Sequence, residues 1–197
     1  MPKTEKISSG YVLKLCMLGD GGVGKSTLVE RLATGKFNNR TKMTIGIDFQ
    51  LINLVLEGEE GKILADVAVW DLGGEDQFRF ILPNYISGAD GGLLVFDASR
   101  IRTMDNLLDW TELWRKYTLP GTPLYLIAAK IDTLQSNFKP VLESSIHHIK
   151  EILSIDTHYL TSSKNGTMIN EVMGNMAKDM VEFKKVKKSL KREKLRF

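Results

Sequence analysis

Short apolar runs alternate with stretches of helical periodicity along most of this chain. "YVLKLCML" (11–18) reads as a buried strand, and a helix is predicted to open at Lys25. Next come "GIDFQLINLVL" and "KILADVAVW", separated by "EGEEG", which predicts a hairpin with a glycine-containing turn. A helix near 76–88, the run "GGLLVFD" (91–97), a helix near 103–117 and "PLYLIAA" (123–129) follow. Pro140 suits the first turn of another helix, reaching about 153. "DTHYL" is a short strand, and Asn165-Gly166 is a turn before the last helix. Strands alternating with helices predict an α/β fold: a mainly parallel six-stranded sheet with one antiparallel edge strand and helices on both faces. Ligands of such sheets bind outside the carboxyl ends of the strands, so the chemistry is expected just after each apolar run.

The 197 residues suffice for one domain with a sizeable core. The organisation expected is a flexible N-terminus at 1–10, a folded domain at 11–182 and a basic extension at 183–197. No apolar run is long enough to cross a bilayer. Cys16 is the single cysteine, so no disulfide framework exists and a reducing, cytoplasmic setting is expected. The net charge of +3 conceals a split: residues 184–197 hold eight basic and one acidic side chain, a net +7, which leaves −4 on the rest. An anionic surface or plain water is the expected neighbour of that tail.

"GDGGVGKST", from Gly19 to Thr27, fits the pattern G-x-x-x-x-G-K-[ST] between a predicted strand and a predicted helix. Gly21, Gly22 and Gly24 let the main chain wrap an anion. The N–H groups from Asp20 through Val23 to Thr27 then point inward, and the helix N-terminus adds partial positive charge. Lys25 reaches the outer phosphates, and the Ser26 hydroxyl is a ligand for Mg²⁺.

Eighteen residues after Ser26 stands Thr44, in "TIGIDF", and Asp71 opens Asp-x-x-Gly with Gly74. "AAKID" (128–132) ends one strand and "TSSK" (161–164) follows another. With these motifs the chain resembles the Ras superfamily of small GTPases across residues 11–182. Within it the chain is most similar to the Rab family, through "IGIDF" and the aromatic set Phe49, Trp70 and Tyr85. The resemblance implies the P-loop NTPase fold of small G proteins and a GTP/GDP switch with Mg²⁺, of the kind found in vesicle trafficking. It implies effectors, exchange factors and GTPase-activating proteins as partners. Thr44 and Asp71 would join Ser26 around the ion, and the Gly74 N–H would meet the γ-phosphate. Asp132 would accept hydrogen bonds from guanine, with the stem of Lys130 on one face of the base and Phe37 on the other side. Ser163 would meet the guanine carbonyl, with Ser162 and Lys164 bracing the loop. The three aromatics are open to two readings, an effector-docking surface or packing beside the hairpin.

Two positions depart from the family pattern. Ala129 replaces the asparagine of Asn-Lys-x-Asp, which removes one or two hydrogen bonds, worth about 1–3 kcal/mol. A specific but looser site is expected. Glu75 replaces the glutamine after Asp-x-x-Gly, at the position that orients the attacking water. A carboxylate there accepts a proton but donates no hydrogen bond, and it brings negative charge to an anionic centre. Slow unaided hydrolysis is the expectation, relieved by protonation of Glu75 or by a partner's arginine entering above Gly21. The alternative is a non-hydrolysing guanine-nucleotide-binding interaction module.

Beyond Phe183 the apolar stripe continues while Lys184, Lys185, Lys188 and Lys191 fill another face. A basic amphipathic helix on anionic lipid and a solvated helix end both fit. The chain ends "KREKLRF" without a cysteine for prenylation, so membrane contact is expected to be peripheral and salt-sensitive. No DNA-binding pattern is present.

Overall fold

A computed structural model describes residues 7–39, 44–59, 61–75 and 79–194. Six strands form one sheet in the order β2-β3-β1-β4-β5-β6. They are β1 (Ile7–Leu18), β2 (Ile47–Gly58), β3 (Gly61–Leu72), β4 (Gly91–Asp97), β5 (Leu124–Ala129) and β6 (His158–Leu160). All neighbours run parallel except β2 and β3, which pair antiparallel from Ile47↔Leu72 to Gly58↔Gly61. The architecture is the expected one, with the hairpin strand β2 at the edge.

Alternation along the central strands makes two cores. Leu13, Leu15, Met17, Leu93 and Val95 face α1 (Lys25–Thr34) and α5 (Ile169–Lys194). Cys16, Leu18, Leu94 and Phe96 face α2 (Leu82–Ile86), α3 (Leu107–Tyr117) and α4 (Lys139–Leu153). Every residue of β4 is buried, as a strand covered on both sides requires. In α3 the buried set Leu107, Trp110, Thr111 and Trp114 follows the i, i+3, i+4, i+7 rule that marks a one-sided helix. Pro140 sits in the first turn of α4, as its sequence context requires.

Three expectations need correction. The first strand begins at Ile7 rather than Tyr11, so residues 7–10 belong to the sheet and not to a flexible N-terminus. Of the helix expected near 76–88, only Leu82–Ile86 is α-helical, and residues 76–78 lie outside the described residues. α5 runs without interruption to Lys194, so residues 183–194 continue the last helix of the domain, which is the helical form of the extension expected there. Its apolar stripe ends earlier than the sequence suggests, since Val186 is 57% exposed. Lys184 is not merely solvated: its ammonium donates to buried Asp90 at 2.8 Å and to the Val12 carbonyl, so it docks the helix on β1. Lys185 is paired with Glu182 at 2.6 Å. Among the described residues no helix is long and apolar enough to cross a membrane.

Candidate functional site

The carboxyl ends of β1, β3, β5 and the loop after β6 surround a cleft of about 740 Å³. Gly21, Gly22, Gly24, Lys25, Ser26, Thr27, Phe37, Thr44, Gly74, Glu75, Lys130, Asp132, Ser163 and Lys164 all line it. Residues drawn from six separate stretches of sequence therefore meet in one place. Gly19, Asp20, Val23, Asp71 and Ser162 do not line the cleft; they support groups that do.

The phosphate loop is set by β1 on one side and α1 on the other. Position 19 needs glycine on two counts: its φ is 127°, and a Cβ would strike the Val95 carbonyl of the neighbouring strand. Lys25, 5% exposed, donates to the Gly19 carbonyl at 2.6 Å and the Asp20 carbonyl at 2.9 Å. An ammonium has three donors, so one remains for an anion in the cleft. Burial lowers the Lys25 pKa to about 8, against the attraction of Asp71, Asp20 and Glu75. Asp20 contributes through its main chain. Its carboxylate turns away and accepts from Asn106 Nδ2 and from Trp110 Nε1, both at 2.9 Å, which anchors the loop to the start of α3. Val23 is fully buried, so only its backbone can serve a ligand.

The three oxygen donors expected around Mg²⁺ converge. Ser26 Oγ lies 2.7 Å from Thr44 Oγ1, and both hydroxyls donate to Asp71 Oδ2. Asp71 is buried, and its other oxygen, Oδ1, has no hydrogen-bond partner among the described residues. Burial raises the pKa of this carboxyl, with hydrogen bonds from Ser26 and Thr44 and the charge of Lys25 opposing it. A carboxylate with an unsatisfied buried oxygen beside two hydroxyls is a donor set that fits a hard divalent cation.

Gly74 packs directly on the phosphate loop, and a Cβ on it would collide with the main chain of Asp20 and Gly21. The next residue, Glu75, lays its carboxylate over Gly21, where a Cβ would collide with Oε1. The space above Gly21 expected to receive a partner's arginine is thus filled by this chain's own carboxylate. Gly73 N–H donates to the Gly46 carbonyl at 2.8 Å, which ties the segment that carries Thr44 to the one that carries Gly74.

The base end is organised by Asp132 and Lys130. Ser162, fully buried, donates from Oγ to Asp132 Oδ1 at 2.5 Å and accepts the Asn165 N–H at 3.1 Å. Lys130 adopts a left-handed conformation, φ 62°, that turns its side chain back across Gly24. Its ammonium donates to the Gly22 carbonyl at 2.6 Å and to Asp97 Oδ2 at 2.7 Å. Asn38, Asn39 and Thr133 also line the cleft, and Asp97 and Arg100 brace it; none stood in a recognisable motif. Beside the cleft, Phe49 meets Trp70 edge-on at 5.3 Å and Trp70 meets Tyr85 at 5.6 Å, while Lys14 Nζ lies 4.9 Å over the Trp70 ring. The rings pack together beside the hairpin, as the packing reading expects, and Phe49 is still 49% exposed. Among the described residues no cluster of histidine, cysteine and acidic side chains suggests another metal centre.

A family model described as Ras family matches residues 14–182. The chain is 31% identical over 171 residues to the Ras-related protein Rab-13 of Canis lupus familiaris, covering 87% of this chain and 81% of that protein. It is 32% identical over 174 residues to the GTP-binding protein ypt1 of Schizosaccharomyces pombe, again 87% and 81%. A further similarity, 29% over 170 residues, is to the Ras and EF-hand domain-containing protein of Danio rerio. There the match covers 86% of this chain but 25% of the relative, so the chain spans about a quarter of that longer protein.

Proposed function

The chain belongs to the Ras family, and from that premise we propose that it is a Rab-like GTP/GDP switch that hydrolyses GTP slowly unaided and signals through its two switch segments. The observation that carries the reading is the convergence, in one cleft, of Lys25, the Ser26–Thr44–Asp71 oxygen cluster and the Ser162-braced Asp132. Lys25 and the inward N–H groups hold the phosphates. Asp132 presents a carboxylate to the N1–H and amine of guanine; adenine has no hydrogen at N1 and no amine at C2, and rejecting it follows from leaving a carboxylate oxygen without its partners.

Mg²⁺, held by Ser26, Thr44 and Asp71, would neutralise charge on the phosphates. The remaining steps belong to the chain. With a γ-phosphate bound, Thr44 and the Gly74 N–H are both engaged; when it leaves, both are released, and the segments that carry them relax together. Glu75 sits where it meets the attacking water. It accepts a proton but gives no hydrogen bond to the phosphoryl oxygens, and its charge opposes the charge that develops there. Its own carboxylate lies against Gly21, so an activating partner would have to displace Glu75 to place a cation there. The exposed side chains Ile45, Phe49 and Phe80 would offer effectors apolar surface. On α5, with Lys184 and Lys185 paired, Lys187 and Lys188 would give an anionic membrane a weak and salt-sensitive contact.

The non-hydrolysing alternative finds no support in the site, where lysine, cation donors and switch glycine are all in place. Phosphate release from GTP over many turnovers tests the enzyme reading. Slow release that tracks protein concentration is expected, and its complete absence in folded, GTP-loaded protein would return the alternative.

A further inference from the structure

A nucleotide site of this kind must hold its phosphate end and its base end at a fixed spacing. Ala129, at the end of β5, has only a methyl group to offer; it lies 3.8 Å from where a Cβ on Gly24 would stand. The connection is made elsewhere. The Gly22 carbonyl, at the middle of the phosphate loop, accepts from Lys130 Nζ at 2.6 Å and from Arg100 Nη2 at 2.9 Å. Both cations also meet one oxygen: Asp97 Oδ2 lies 2.7 Å from Lys130 Nζ and 2.9 Å from Arg100 Nε. Asp97 is nearly fully buried at the end of β4, and its other oxygen accepts the Ser99 N–H at 3.0 Å and the Ser99 hydroxyl at 2.6 Å. The Ala98 N–H donates to the Ala129 carbonyl at 2.9 Å, so the ends of β4 and β5 are fixed to each other.

We propose that Asp97 and Arg100 are positioning residues for the nucleotide, which lock the phosphate loop to the base-recognising loop in place of a polar side chain at position 129. Without Asp97, Lys130 and Arg100 would crowd two like charges on one carbonyl. Without Arg100, the carbonyl would be held by Lys130 alone, and that lysine also has to cover the base. Hydrogen bonds from Lys130, Ser99 and Arg100 outweigh burial and hold the Asp97 carboxyl below its ordinary pKa, which keeps the bridge charged near neutrality. The inference rests on the guanine-nucleotide reading and goes beyond it, because neither residue lines the cleft.

The test is GDP release from Mg²⁺-loaded protein, followed by displacement of a fluorescent GDP analogue. Arg100 is half-exposed, so Arg100→Ala should keep the fold and its thermal midpoint while releasing GDP about tenfold faster, the loss of one charge-assisted bond. Ala129→Asn should slow release little in the parent but restore most of the loss in the Arg100→Ala background. A merely structural role would not give that non-additivity. Asp97→Asn should match or exceed Arg100→Ala; if it does not fold, Arg100→Ala decides alone. Release from Arg100→Ala at the parent rate, or equal effects of Ala129→Asn in both backgrounds, overturns the bridge. A folded parent that retains no GDP overturns the nucleotide reading itself, and the bridge with it.

Discussion

Two side chains carry most of the chemistry that distinguishes this protein. Glu75 brings a carboxylate to the phosphate loop, and its effect on hydrolysis follows from charge. Glu75→Gln should raise the single-turnover rate of GTP hydrolysis at least about tenfold, by supplying a donor and removing a charge. A parent as fast as the variant would refute the electrostatic account. Lys25 makes a prediction about pH. Its pKa in the free protein is near 8, and a bound diphosphate favours the charged form and pushes it up. Binding then takes up a proton above pH 8, so affinity is full below that value and falls as pH rises. From pH 7 to pH 9 the GDP dissociation constant should increase about tenfold, as measured by calorimetry. Folding has a related sign in the free protein. The folded-state pKa is lower than the unfolded one, so the penalty for burying the charge is felt below about 8 and relieved as pH rises towards 10.5. Cys16, by contrast, is pushed up to about 12 by burial and should resist alkylation in the native state.

At the scale of elements, the contact that decides most is the docking of α5 on the sheet. Its apolar side ends near Val181, and Lys184 then secures the next turn by pairing with Asp90, a buried carboxylate that also accepts the Lys14 N–H at 2.9 Å. Lys184→Ala should cost about 1–2 kcal/mol, less than for a fully buried pair because Lys184 is one-third exposed, and lower the melting temperature by several degrees. Gly91 tests the packing from the other side. A Cβ there would stand 2.6 Å from Met180 Cγ and 2.7 Å from Met176 Sδ, so Gly91→Ala should also destabilise, by about 1–3 kcal/mol of overpacking. Differential scanning calorimetry reads both. Periodicity showed the elements well because each strand reads apolar on the faces it buries, and β4 on both. The ends were less legible: the extra turn of sheet at 7–10 is made by "ISSG", whose polar residues give no strand signal and pair with β3 only because that strand is already in place. The role of Lys184 was hidden for a related reason. A lysine in a basic run looks solvated until the fold sets a buried carboxylate against it.

At the scale of the molecule, the sheet brings loops from five of its six strands to one edge, and the site is the sum of what those loops carry. The residues proposed to touch a nucleotide were legible because the spacing of their motifs would be dictated by the ligand's own shape: Gly24-Lys25-Ser26, Asp71 with Gly74, and Lys130 with Asp132. The residues that hold them were not. Asp97, Arg100, Asn106 and Trp110 act through contacts across the fold, such as the 2.9 Å bond from Trp110 to Asp20, which no local pattern announces. The same holds for Glu75 above Gly21, where sequence reasoning saw two separate features and folding makes them one contact. The most direct check of the whole account is equilibrium binding of GDP and ADP to nucleotide-stripped protein in the presence of Mg²⁺. Binding of GDP at least about a hundredfold tighter than ADP is the predicted result, the penalty of denying the Asp132 carboxylate its hydrogen bonds from the base. Equal affinity for the two, or none for either in folded protein, would contradict it.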